Sequence, residues 1–260
     1  MTTKWDDLAP RVISGLVMLA VGAFSIVQGG WVFSVLLAVI CGLMVWELVR
    51  MIDPEKTAAA IQLGALVGGV VLLAPFLPGL YVLPVLLAPV IVGLGQVKRM
   101  QGVLAAYMTV ILLAGFGGIT LRVGHGLTWT LWLVSIVIVT DVAGYFAGRI
   151  LGGPKFWPRV SPKKTWSGTV AGWVGAAAVA LWFMSAMGAG PALIVISVIL
   201  SFASQMGDVA ESAIKRKVGV KDSSNLIPGH GGLLDRFDGM LGALLLFLLA
   251  GLVGFPPGAP

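Results

Sequence analysis

Residues 12–28 read VISGLVMLAVGAFSIVQ, seventeen positions without a charge. A helix of that length rises about 25 Å, close to the roughly 30 Å of hydrocarbon in a bilayer. Comparable runs recur at about 31–50, 59–76, 79–97, 102–122, 128–149, 167–187, 191–213 and 238–255. The ten-residue alternating segments of a transmembrane barrel are absent. The expected fold class is therefore an all-α polytopic membrane protein with about nine transmembrane helices. Composition agrees: 58% of the 260 residues are hydrophobic and 11% charged, against about 25% charged in soluble domains.

The run from Val12 to Val27 has no small-residue cleavage site before the next apolar stretch, so it reads as a retained span rather than a signal peptide. Cys41, the single cysteine, lies inside an apolar run. One chain then supplies neither a disulfide nor a cysteine-based metal site. We divide the chain into residues 1–127, about five spans, and residues 128–260, about four spans. The second part carries cytoplasmic polar loops at 150–166 and 214–237.

Turns alternate between short uncharged ones, such as VQGGW, FLPGL and MGAGP, and polar ones. Nine spans place 16 of the 17 basic residues on one side, from Lys4 and Arg11 to Lys221 and Arg236, with Arg122 alone opposite. By the positive-inside rule that side is cytoplasmic, as is the N-terminus, while the terminal FPPGAP lies outside. The eleven acidic residues fall on or near the same side. A net charge of +6 placed in membrane-flanking loops does not argue for nucleic acid. The spacings Gly64/Gly68, Gly144/Gly148 and Gly168/Gly172 suit close helix packing.

Two cytoplasmic segments exceed what topology requires. In TDVAGYFAGRILGGPKFWPRVSPKKTWSG, residues 140–168, Asp141 sits within an apolar run about two turns before Arg149. A carboxylate there is functional or neutralised by a neighbouring helix. Ser161, Lys163, Lys164 and Thr165 stand just ahead of the seventh span, where a helix N-terminus and two ammonium groups attract phosphate. Positive-inside decoration accounts for one or two lysines, but not for Ser161, Pro162 and Thr165.

In SQMGDVAESAIKRK, Asp208, Glu211, Ser212 and Lys215 recur at helical spacings and share one face. Lys221, Asp222 and PGHGG follow, with Gly231 and Gly232 able to let the backbone approach a ligand. DRFDG then places Asp235 and Asp238 three apart at the start of the ninth span, also the ordinary place for helix-dipole complements. Asp208, Asp235 and Asp238 are hard oxygen ligands that suit Mg²⁺. Lys215, Arg216, Lys221 and Arg236 compensate phosphate charge, the usual equipment of phosphoryl or nucleotidyl transfer. His230 acts as acid or base, or holds the loop by hydrogen bonds. Zinc H-E-x-x-H, the P-loop and the G-x-S-x-G elbow are all absent.

The run Ser212, Lys215-Arg216, Lys221-Asp222, Pro228, His230-Gly231-Gly232, Asp235-Arg236 and Asp238 resembles the signature of the phosphatidate cytidylyltransferases, the CDP-diacylglycerol synthases. The resemblance extends to Arg11, Asp141, Tyr145-Phe146, Gly148-Arg149, residues 161–166 and QMGDVAESAIKR. Ser167 departs from it, because family members commonly carry a glutamate after the tryptophan. The resemblance implies cytidylyl transfer from CTP to phosphatidic acid, giving CDP-diacylglycerol and pyrophosphate for phospholipid synthesis. It also implies divalent metal at Asp208 and Asp235, an accessory K⁺, a homodimer, and a bacterial inner membrane with the active site facing the cytoplasm. Basic residues would hold triphosphate and lipid phosphate. The alternatives are a CTP-dependent lipid kinase and a transporter, though a transporter favours midplane sites and internal repeats.

Overall fold

In lipid every backbone amide and carbonyl needs a partner within the protein, so apolar runs of this length fold as helices. The computed structural model describes residues 8–255. Among them are nine α-helices: α1 Leu8–Gln28, α2 Gly30–Ile52, α3 Thr57–Leu73, α4 Gly79–Gln96, α5 Gln101–Thr120, α6 Gly126–Ile150, α7 Trp166–Met187, α8 Ala192–Val218 and α9 Leu234–Gly251. A 3₁₀ turn, Ala74–Phe76, extends α3, and a π-helical turn, Leu121–His125, joins α5 to α6. The protein is an all-α polytopic membrane protein. Lys4 and residues 256–260, on which part of the topology reading falls, lie outside the described residues.

Seven helical stretches of the described chain are long and apolar enough to cross a membrane. The run Gln101–Ile150 counts once among them, and α9 is not included. The run is not one straight rod, because Gly126 has φ 84°, where an L side chain would be strained. The first five residues of α9 include Asp235, Arg236 and Asp238, which dilute its apolar character.

Part of the polar loop at 150–166 is a β-hairpin. β1 (Lys155–Trp157) pairs antiparallel with β2 (Ser161–Thr165), Lys155 opposite Thr165 and Trp157 opposite Ser161. Strand pairing satisfies the backbone of a segment whose four prolines and glycines between 152 and 158 forbid helix.

Contacts divide the chain into two units. One comprises the residues up to Thr120 with Lys217–Phe237; the other comprises Leu121–Arg216 and the residues from Asp238. The loop leading into α9 therefore groups with the N-terminal helices rather than with the C-terminal half.

Within the first unit α2 and α3 cross where a Cβ on Gly42 would lie 2.6 Å from the Gly64 carbonyl, and one on Gly64 2.7 Å from the Gly42 carbonyl. Only glycine fits on either side of this crossing. Cys41, Val45, Leu48, Val67, Ile111 and Leu112 fill the interior around it. Within the second unit α6 and α7 meet in the same manner, since a Cβ on Gly168 would lie 2.5 Å from the Gly144 carbonyl. α8 joins them through polar seams: Trp132 Nε1 donates to Ser197 Oγ at 3.0 Å, and Thr140 Oγ1 donates to Ser201 Oγ at 2.7 Å. A Cβ on Gly207 would lie 2.2 Å from the Asp238 carbonyl oxygen, so α8 and α9 touch backbone to backbone where the acidic residues stand.

Candidate active site

In the second unit, α6, β2, α7 and α8 enclose a cleft of about 550 Å³. Asp141, Arg149, Lys163, Lys164, Thr165 and Asp208 line it, six residues that the sequence singled out from segments far apart. Lys164 Nζ forms an ion pair with Asp208 Oδ2 at 2.7 Å and reaches the Gln205 carbonyl oxygen at 3.3 Å. Ser212 Oγ donates to Asp208 Oδ1 at 3.2 Å, one helical turn on. Asp238 feels Asp208 and Asp141 as like charges and Lys164 as an opposite one, and its Oδ1 accepts from the Gly239 amide at 2.7 Å.

Local sequence explains much of this cleft. Thr165 is the N-cap of α7, its Oγ1 accepting from the Gly168 amide at 3.2 Å. The hydroxyl thereby occupies one of the N-terminal amides that the sequence offered to an anion. The cations that face the cleft are the side chains of Lys163, Lys164 and Arg149. Ser167 Oγ donates to the Gly152 carbonyl and ties the hairpin to α7. Arg149 Nη1 donates to Tyr145 Oη at 2.7 Å, and its guanidinium lies 6.0 Å from that ring's centroid. A fork so held presents fixed donors at the rim of the cleft. Gln205, which the sequence reading passed over, bridges α7 and α8: Trp173 Nε1 donates to its Oε1 at 3.2 Å, and its Nε2 donates to the Thr169 carbonyl at 3.2 Å.

Lys215 stands one turn beyond Ser212 in an ion pair with the buried Glu211. That pairing explains why a lysine and a glutamate share one face of α8. Arg216 is exposed beside it.

A second cluster forms in the first unit, around the loop before α9. Asp235 Oδ2 accepts three hydrogen bonds at 2.8 Å, from Ser223 N, Ser223 Oγ and Gly232 N. Glu47, fully buried on α2, accepts from Leu233 N at 2.9 Å, Leu234 N at 2.7 Å, Ser224 Oγ at 2.6 Å and Ser223 Oγ at 3.3 Å. The two carboxylates thus hold the loop and supply partners to amides that α9 leaves open at its start. Gly231 and Gly232 are explained here by the protein itself rather than by a ligand. Gly231 has φ 82°, and a Cβ there would lie 2.9 Å from Asp235 Oδ2. A Cβ on Gly232 would lie 2.0 Å from Ser223 Oγ and 2.4 Å from Glu47 Oε1.

His230 Nδ1 lies 2.8 Å from Ser14 Oγ on α1, and that hydroxyl also contacts the Pro228 carbonyl at 3.0 Å. Of the two roles left open for His230, the geometry displays the hydrogen-bonded tether. Lys221, Asp222 and Arg236 are exposed on this loop and the start of α9.

Residues 9–253 match the cytidylyltransferase family. The chain belongs to that family. Phosphatidate cytidylyltransferases are among its relatives. One from Bacillus subtilis (strain 168) is 32% identical over 268 residues, covering 94% of this chain and 98% of the relative. One from Pseudomonas aeruginosa is 33% identical over 265 residues, covering 92% and 95%. A third, from Brucella suis biovar 1, is 45% identical over 154 residues, 56% of this chain and 57% of the relative. The match to the Brucella proteins thus spans little more than half their length.

For this cytidylyltransferase-family chain, the residues missed by sequence reading were Glu47, Ser223, Ser14 and Gln205. Glu47 carried a signal, an acid late in the apolar run of α2. Ser223, Ser14 and Gln205 carried none, because a serine or glutamine acquires meaning only from the partner the fold brings to it.

Proposed function

We propose that this protein transfers the cytidylyl group of CTP to phosphatidic acid at the cytoplasmic face of a bacterial inner membrane, releasing pyrophosphate. The observation that carries the reading is the cleft in which Lys163, Lys164 and Arg149 oppose Asp141 and Asp208. A phosphate of the lipid attacks the α-phosphorus of CTP, forming one P–O bond as the bond to pyrophosphate breaks. Both reactants are anionic, so the ammonium and guanidinium groups lower their mutual repulsion and hold them in line. The sidedness follows from the basic loops that flank the spans.

The carboxylates suit a hard divalent ion. Asp238 has Asp208 and Asp141 as like-charged neighbours, with Lys164 as the opposing charge, a balance that favours a further cation. Among the described residues no group of three acid, histidine or cysteine side chains is placed to hold a metal ion, so the Mg²⁺ reading rests on the hard-oxygen chemistry of the carboxylates. We assign Asp208 and Asp238 to hold it, and Asp235 joins them on the sequence resemblance alone. Bound there, it would supply charge neutralisation to the phosphates. An accessory K⁺ and a homodimer belong to the same reading, tested by exchanging K⁺ for Na⁺ and by mass measurement in detergent.

The deciding experiment supplies purified protein with phosphatidic acid, Mg²⁺ and CTP labelled at the α-phosphate. Label in a chloroform-soluble product, lost with EDTA, is expected. Label remaining in water-soluble CDP would indicate a CTP-dependent lipid kinase, and no turnover would overturn both readings.

A further inference from the structure

Glu47 lies on α2, 176 residues before Ser223 and 187 before Leu234. It is fully buried in a helix that is otherwise apolar around it. A carboxylate so placed is costly unless its oxygens are supplied with donors. Its four donors all come from one short stretch, residues 223–234.

Ser223 lies between Glu47 and Asp235. The hydroxyl lies 2.8 Å from Asp235 Oδ2 and 3.3 Å from Glu47 Oε2. One hydroxyl carries one proton, and the shorter contact directs it to Asp235. Glu47 then completes its shell with the amides of Leu233 and Leu234 and the hydroxyl of Ser224. Those amides stand immediately before Asp235, so fixing them fixes the backbone from which the Asp235 carboxylate projects.

We infer that Glu47 is a positioning residue for Asp235, acting through the amides of Leu233 and Leu234. The inference rests on the proposed cytidylyl transfer, in which Asp235 takes part. Gly232 is part of the same device, because a Cβ would lie 2.4 Å from Glu47 Oε1 and displace it.

The test compares Glu47→Gln, Ser223→Ala and the double variant in detergent. The glutamine keeps the size of Glu47 but turns an amide NH₂ toward donors. Each single change is expected to lower kcat at least about tenfold with KM for CTP nearly constant, since misplacement of a reacting group acts on the chemical step. The double variant should show both losses, because Ser223 and Glu47 reach Asp235 by separate bonds. Ser223→Ala leaves the Leu233 and Leu234 amides bonded to Glu47, so it measures the loss of a direct Asp235 partner alone; should Glu47→Gln fail to fold, amide exchange in the wild type decides. A second readout needs no substrate: amide exchange at Gly232, Leu233 and Leu234 should be slow in the wild type and faster in Glu47→Gln.

Unchanged kcat per folded enzyme in Glu47→Gln, or fast exchange of those amides in the wild type, overturns the inference. Failure of the wild type to label lipid would instead reject the proposed reaction, and the exchange experiment would still decide whether Glu47 holds the loop.

Discussion

Lys164 Nζ stands 2.7 Å from Asp208 Oδ2, and both side chains line one cleft although they come from a hairpin strand and a helix 44 residues apart. With Asp141 and Asp238 also acting on this region, Lys164 is the ammonium that offsets carboxylate charge there. In the proposed reaction it exchanges Asp208 for a phosphate oxygen of the substrate. Lys164→Met should lower cytidylyl transfer by about 100-fold, in the range for removal of one electrostatic stabiliser. Lys163→Met, which removes an exposed lysine, should cost distinctly less. Equal losses in the labelled-CTP assay would dismiss the special place of Lys164.

Asp235→Asn keeps an oxygen acceptor but loses the charge that strengthens three hydrogen bonds from Ser223 and Gly232. Bonds to charged acceptors contribute about 1.5–3 kcal/mol each and neutral ones about 1. We expect the variant to insert into the membrane with a lowered melting temperature and to lose Mg²⁺-dependent turnover. Near-wild-type activity would remove Asp235 from the metal set. Asp238→Asn, assayed beside it, separates a ligand from a helix-start complement.

His230 and Ser14 share one contact, 2.8 Å between Nδ1 and Oγ. If the histidine serves as a tether, Ser14→Ala and His230→Ala should reduce activity to a similar, modest extent. A large loss in His230→Ala with none in Ser14→Ala would reassign His230 to proton transfer. Rates measured for both variants across a pH series separate the two outcomes.

The α2–α3 crossing offers a test of packing alone. Gly64→Ala drives a methyl to 2.7 Å from the Gly42 carbonyl oxygen, whereas a Cβ on Gly69, on the same helix, meets nothing within 4 Å. Overpacking of this kind costs about 1–3 kcal/mol. Gly64→Ala should melt lower in detergent, and Gly69→Ala should melt like the wild type.

Thr165→Ala removes the N-cap of α7 and should destabilise the protein by about 1 kcal/mol. Thr165→Ser, which keeps the hydroxyl, should restore most of that. Because Thr165 also lines the cleft, turnover in the serine variant reports whether the residue is needed for more than capping.

The sequence by itself determined the helices, because hydrocarbon admits few other backbones and marks each crossing with an apolar run. It also marked Asp141, Lys164, Asp208, Asp235 and Asp238, since a charge in such a chain is conspicuous against what surrounds it. The glycine pairs were legible in part: their spacing pointed to packing, and the fold supplied the carbonyl each one faces. Only the tertiary structure decided that Glu47 and Ser223 hold the start of α9 and that SPKKT is a strand paired with Lys155–Trp157. Each of these depends on partners brought together by the fold or on hydrogen bonds a local pattern does not record. Hydropathy is a property of each segment alone, whereas a hydrogen bond between residues nearly two hundred positions apart exists only once the helices have packed.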